Sequence, residues 1–364
     1  MNGNAPKVLL LSGFHPSAEA VSSGPKIVAR VIRDLEAKGR EVVTVSFENE
    51  LDRVHHAEGF RPAGAEGSRV FRLTTARRIL AALRHPLLPF AASARPFVAR
   101  RYVEALLNGD AFEAIEVEFI QAIEALPESA WKDARLVSHD VLTQLYARRL
   151  AHAHGLKRIA AWLEYQRVKR WERRVFRKVG RIVALNAKDK ALIEEISGRS
   201  DVAVRYPEIR AYINPKERTA ETVEPGTLLY WGHMGRAENA DAVLYFVAEI
   251  LPLIRRQRPD TRLIVAGIDP PEEIRRLQGP GIEVTGFVAD PAPLFRRAEI
   301  GIVPLRLGAG IKIKTLELLA SGLPVVATTV GAEGVEASPL LRVADRPADF
   351  AGAVLGLMAA KAEM

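Results

Sequence analysis

Short runs of β-branched and apolar residues alternate along the chain with longer stretches in which apolar side chains recur every third or fourth position. The runs fit strands buried on both faces, and the recurring stretches fit helices with one apolar stripe. Their alternation predicts parallel sheets covered by helices. In the first half, strands are expected over 7–13, 41–47, 68–73, 114–119, 136–141 and 181–186. Between the first two, Ile27, Val28, Val31, Ile32 and Leu35 share one face of a helix over 24–38, which Gly39 closes.

The second half repeats the theme, with strands over 227–231, 262–267, 282–288, 300–305, 323–328 and 340–343. Its helices are expected over 239–256, 271–277, 291–297, 312–321 and 348–360. The stretch 207–226 holds three prolines, several charges and little apolar periodicity, so it reads as a linker. The organisation expected is α/β: a domain over 1–207, a linker over 208–226 and a domain over 227–364. Two doubly wound, Rossmann-like sheets bind ligands at the carboxyl ends of their strands. The site is therefore expected in a cleft across which the two domains face each other.

Composition narrows the classes. Of 364 residues, 48% are hydrophobic and 26% charged, which excludes disordered, collagenous and coiled-coil chains. The absence of cysteine removes disulfides, thiolate nucleophiles and cysteine-bound metals. No apolar run reaches the roughly 18 residues of a membrane span. Residues Met1 to Asn4 do not open a secretory signal. A soluble protein is expected, cytoplasmic or at the inner face of the cytoplasmic membrane.

The net charge of +8 is concentrated: twelve basic residues between Arg148 and Arg181 face only Glu164 and Glu172. Within this stretch Trp162, Tyr165, Val168, Val175 and Val179 recur at helical spacing. The pattern fits either a solvated arginine-rich helix packed on its own domain or a peripheral membrane contact over 148–181. Nucleic acid is not expected as a partner, since exposed aromatics interleaved with the charges are not evident.

The most informative stretch runs from Pro304 to Thr328. A strand ends, a loop with Gly308 and Gly310 lets backbone amides approach a ligand, and a helix starts near Lys312. Lys312 and Lys314 add charge for a phosphate, and Glu317 can accept two hydrogen bonds from a ribose diol. A plain alternative is solvated lysines at a helix start with Glu317 paired to one of them. A dinucleotide fingerprint is absent after either first strand, and no phosphate-binding G-x-x-x-x-G-K-[ST] loop occurs.

At these residues the chain resembles the retaining glycosyltransferases of family 4, which have the GT-B fold of two Rossmann-like domains. The resemblance rests on 232–246, Val265-Ala266-Gly267, 284–290, Gly331-Ala332-Glu333-Gly334 and above all on Gly308 to Pro324. It implies a nucleotide-diphosphate sugar held by the second domain through Gly232, Arg236, Arg306, Gly308, Ala309, Gly310, Ile311, Lys312 and Lys314. Glu317 would hold the ribose, and the backbone around Phe287 and Val288 would face the base. The acceptor implied is a hydroxyl of a glycan, a lipid-linked molecule or a small molecule. The resemblance implies metal-independent transfer without a cofactor, in keeping with the absence of any Asp-x-Asp pair. In the first domain it implies that His139, at a strand end, faces the donor sugar. Glu118 ends the preceding strand as a second candidate, and Ser23 and Gly24 lie in the acceptor-side loop 22–26.

Three departures accompany the resemblance. The first of the family's two acidic residues falls on Ala309, its diphosphate-neutralising Arg and Lys fall on His233 and Glu238, and its final crossing helix has no counterpart before Met364. Two alternatives to transfer therefore stand. One is a non-catalytic homologue that binds nucleotide or a partner transferase; the other is a sugar-nucleotide epimerase or hydrolase using Glu118 as base.

Overall fold

The computed structural model describes residues 5–17, 23–49 and 64–362. The chain divides into two compact units, Met1–Pro207 and Glu208–Met364. Each is a parallel α/β sandwich with the doubly wound architecture expected.

The first sheet contains β1 (Lys7–Ser12), β2 (Glu41–Asn49), β3 (Arg69–Leu73), β4 (Ala114–Glu118), β5 (Ala134–Ser138), β6 (Arg181–Ala184) and β7 (Ala203–Val204). Their order is β3-β2-β1-β4-β5-β6-β7, and every pair is parallel. The covering helices are α1 (Ser23–Ala37), α2 (Thr75–Arg84), α3 (Phe90–Gly109), α4 (Leu142–Ala151), α5 (Gly155–Lys178) and α6 (Ala187–Ser197). The central strand Val8-Leu9-Leu10-Leu11 is apolar throughout because both of its faces are covered, and all four side chains are buried.

The second sheet contains β8 (Thr227–Trp231), β9 (Arg262–Ala266), β10 (Ile282–Gly286), β11 (Ile300–Val303), β12 (Val325–Ala327) and β13 (Leu341–Val343), in the order β10-β9-β8-β11-β12-β13. It is also parallel throughout. Its helices are α7 (Ala237–Tyr245), α8 (Leu251–Arg255), α9 (Glu272–Arg275), α10 (Ala292–Arg297), α11 (Ile313–Ala320) and α12 (Pro347–Ala362). In both sheets the winding reverses beside the first strand, between β1 and β4 and between β8 and β11. At such a switch point the loops leaving the carboxyl ends diverge and open a crevice.

Two expectations are corrected. The helix expected over 239–256 is α7, a π-turn over Phe246–Ile250, and α8. Pro252 cannot donate to the preceding turn and its ring crowds the carbonyl there, and the widened turn accommodates it. The segment read as a linker is docked on the second unit. The Tyr212 ring lies 4.8 Å from Phe295 and 5.4 Å from Trp231, and its amide donates to Ser321 Oγ at 2.9 Å. The Arg218 guanidinium donates to the carbonyls of Phe295, Ala298 and Glu299, closing the end of α10. Composition hides this anchoring, because one aromatic and one arginine do the work of an apolar stripe.

Phe295 is wholly buried at the centre of this packing. Phe295→Ala is expected to cost about 3–5 kcal/mol of the second unit's stability, read from urea unfolding. A loss below about 1 kcal/mol would mean that the cluster collapses around the gap.

Candidate functional site

In the second unit the crevice lies between the end of β8 and the end of β11. Gly232 follows β8 directly, and a Cβ there would come within 2.6 Å of Lys314 Nζ, so the glycine leaves the ammonium its place under this turn. Lys314 Nζ donates to Asn239 Oδ1 at 2.6 Å and Tyr230 Oη at 3.1 Å, and it lies over the Tyr230 ring at 4.6 Å. Burial, then the charge of Arg236, pulls its pKa down to about 7. The ammonium is therefore held near its titration point at physiological pH.

After β11, the loop passes Gly308 and Gly310, whose φ angles of 124° and 72° are open to glycine but strained for other residues. No side chain caps the first turn of α11. Lys312, expected beside a phosphate, is instead turned into the loop: Nζ donates to the carbonyls of Gly310 (2.6 Å) and Ala309 (3.0 Å) and to Glu333 Oε2 (3.1 Å). Lysine and glutamate are both buried. This ion pair braces the loop rather than presenting charge to the crevice.

Glu317, one turn into α11, is half-buried. Trp231 Nε1 donates to its Oε2 at 3.1 Å and the Tyr212 hydroxyl to its Oε1 at 3.3 Å. Burial, followed by the Glu317 charge, holds the Tyr212 phenol well above its ordinary range. Two neutral donors, the Trp231 indole and the Tyr212 phenol, thus orient the Glu317 carboxylate.

The remaining residues divide. Arg236 is exposed at the start of α7, 3.8 Å from Glu238. Arg306 bends away, gripping Asp241 at 2.5 Å and lying 4.4 Å over the Tyr245 ring. The Phe287 side chain is 68% exposed at the end of β10, directly after Gly286, and Val288 packs partly into the core. Ala309 and Ile311 lie within the braced loop. His233 contacts Asp269 at 3.1 Å across the β8 and β9 loops.

In the first unit the crevice lies where β1, β4 and β5 end. Phe119 has a φ of 73°, and its ring stacks on His139 at 3.7 Å. A Cβ on Gly13 would meet the Phe119 Cβ at 2.7 Å, and one on Gly24 would meet its Cζ at 2.6 Å. Two glycines therefore make room for one ring. His139 Nε2 is 2.6 Å from Glu118 Oε2, and Arg205 donates to Glu118 Oε1 at 3.2 Å. Glu118 is wholly buried. Burial opposes its charge, but His139 and Arg205 outweigh it and hold the carboxyl below its ordinary range. Glu118 is thus a buried partner that orients His139, which is a correction to its reading as a base open to substrate. Ser23 and Gly24 open α1, and Ser22 of the same loop lies outside the described residues.

Tyr212, Trp231, Asn239 and Arg95 receive no site role from the sequence. Arg95 is buried, donates to the Gly13 carbonyl at 3.1 Å beneath the β1 loop, and is brought by burial to a pKa of about 9. No local pattern marks Tyr212, Trp231 or Arg95, whereas Asn239 and Glu333 stand in the stretches 232–246 and 331–334 that carry part of the family resemblance. The buried pair predicts its own test: Glu333→Ala strands the Lys312 ammonium and is expected to cost about 3–5 kcal/mol in thermal or urea unfolding. The double replacement Lys312→Met with Glu333→Met is expected to cost less than the single one.

Comparison with known proteins fits this geometry. Residues 225–360 match the model of the family Glycosyl transferases group 1. An uncharacterized 44.6 kDa protein in the cps region of Klebsiella pneumoniae is 25% identical over 116 residues, 29% of this chain; the match spans only 30% of that relative's length. Sucrose-phosphate synthase from Thermosynechococcus elongatus superposes with a TM-score of 0.66 at 15% identity, covering 97% of this chain and 90% of that one. The α,α-trehalose-phosphate synthase (UDP-forming) from Burkholderia vietnamiensis does so with 0.61 at 13%, covering 98% and 90%. The fold is therefore GT-B, and residues 225–360 resemble the glycosyl transferases group 1 family.

Proposed function

We propose that this chain transfers a sugar from a nucleotide-diphosphate donor to a hydroxyl acceptor on a glycan, a lipid-linked molecule or a small molecule. The transfer retains configuration at the anomeric carbon and uses neither metal nor cofactor. One observation carries the reading. Gly232, the glycine loop, the uncapped start of α11, the Lys314 ammonium and the Glu317 carboxylate all surround the β8–β11 switch point. Backbone amides and an ammonium suit a diphosphate, and an acceptor-only carboxylate suits the two hydroxyls of a ribose. The exposed Phe287 ring and its backbone are assigned to the base. The trehalose-phosphate synthase that the chain resembles is UDP-forming, which supports uridine diphosphate as the leaving group.

In the reaction, the bond from the anomeric carbon to the β-phosphate oxygen breaks and the acceptor oxygen bonds to the same face of that carbon. The acceptor proton passes to the departing phosphate oxygen. What the protein must supply is stabilisation of the charge that grows on the diphosphate, and the amides and Lys314 are assigned to that task. His139, its ring fixed by Glu118 and Phe119, is assigned to a sugar hydroxyl.

A second reading, nucleotide binding without transfer, has Ala309 in its favour, since the carboxylate that would meet the donor sugar is missing there. Thermal-shift measurements with UDP-, GDP-, ADP- and dTDP-sugars, followed by product analysis, separate the two. Stabilisation by UDP-sugars with glycosylated product supports transfer, and stabilisation without product in any acceptor supports the second reading. Stabilisation by none overturns both.

Glu317→Ala is expected to lose about 2 kcal/mol of UDP affinity in calorimetry, as for a charged acceptor removed from its donors. Unchanged affinity would remove Glu317 from the ribose. A diphosphate favours the protonated form of Lys314, so a proton is taken up on binding at pH values above about 7. Affinity should then fall by up to roughly tenfold per pH unit there. Lys314→Met should flatten that dependence, and calorimetry in buffers of different ionisation enthalpy reads the proton directly.

A further inference from the structure

Among the described residues fourteen large apolar side chains are exposed, and ten of them lie in two stretches of the first unit, 79–97 and 156–163. The amphipathic helix α2 is turned the wrong way for a water-soluble surface. Its one buried residue is Ala81, whereas Ile79, Leu80 and Leu83 are 53%, 53% and 74% exposed. The following loop adds Leu87, 86% exposed.

Helix α5 shows the same inversion at one end. Its second half packs Val168, Trp171, Val175 and Phe176 into the core, as the solvated-helix reading requires. Its first turns stand clear, with Leu156 85% and Ile159 59% exposed beside Trp162. The two regions adjoin, because the Phe90 amide donates to Glu164 Oε1 at 2.7 Å and Arg78 lies 4.7 Å over the Phe90 ring. Phe90 thus joins the neighbourhood of α2 to that of α5.

Charge identifies what covers these exposed side chains. From 67 to 103 the sequence has eight arginines and no acidic residue, and Lys157 and Arg158 are exposed beside Leu156. We infer that α2, the loop after it and the first turns of α5 dock on the surface of an anionic lipid bilayer, with leucines in the acyl boundary and arginines at the headgroups. A second copy of the chain would set like charges against each other, and a nucleic acid would leave the leucines in water. This surface goes beyond the nucleotide site and does not depend on it.

The test is co-sedimentation of the full chain with vesicles of phosphatidylcholine alone and of equal parts phosphatidylcholine and phosphatidylglycerol. Binding to the anionic vesicles only, weakened by salt and accompanied by a blue shift of Trp162 emission that Trp162→Phe removes, is the expected result. The double variants Leu83→Ser with Leu87→Ser and Arg77→Gln with Arg84→Gln should each lower partitioning at least about tenfold. Both should bind UDP as the unchanged chain does. No binding to anionic vesicles, or binding that neither double variant weakens, would overturn the inference. So would a dimer in sedimentation velocity that Leu83→Ser with Leu87→Ser dissociates, or tighter binding to nucleic acid than to vesicles.

Discussion

One ammonium group, that of Lys314, is largely kept out of water beneath a turn whose glycine, Gly232, leaves room for it. Three consequences meet there. Tyr230 and Asn239 must supply its hydrogen bonds from β8 and α7, the turn after β8 must carry no side chain, and α11 must start where its second residue reaches beneath that turn. An ammonium denied most of its hydration gains more from an arriving anion than a solvated one does, since less water must be displaced. Lys314 therefore brings a largely desolvated positive charge to the end of β8, within reach of the field of the exposed Arg236. The arginines expected to share the task are exposed or turned toward α7.

The loop around it is stiffened by a different device. Lys312 and Glu333 close a buried bridge under the glycines, so backbone that must adopt left-handed angles is held there by charge rather than by regular structure. Flexible residues thus sit on a rigid support. The two lysines at the start of α11 differ by only two positions, yet one braces the glycine loop and the other is held beneath the turn after β8.

The parallel sheets could be read in advance because strands covered on both faces leave uninterrupted apolar runs, as in Val8 to Leu11. That the glycine loop, Lys314 and Glu317 belong to one strand-loop-helix unit was legible for the same kind of reason: the pattern is local to that unit. What could not be read depends on distant partners. Tyr212 lies 105 residues from the carboxylate it contacts, and no spacing announces that. Lys312 could not be told from Lys314 because the difference lies in Glu333, and Glu118 looked like an open base because burial is not written in an alternating strand. The outward turn of α2 was equally hidden, since amphipathic spacing says that a helix has two faces and not which of them points inward.

The Phe119 ring touches the turn after β1, the beginning of α1 and the imidazole at the end of β5. Three chain segments that lie far apart in sequence are thereby keyed to one rigid plane. A side chain at Gly13 or at Gly24 would run into that plane, so the bareness of both glycines is what leaves the ring free to lie flat on the imidazole.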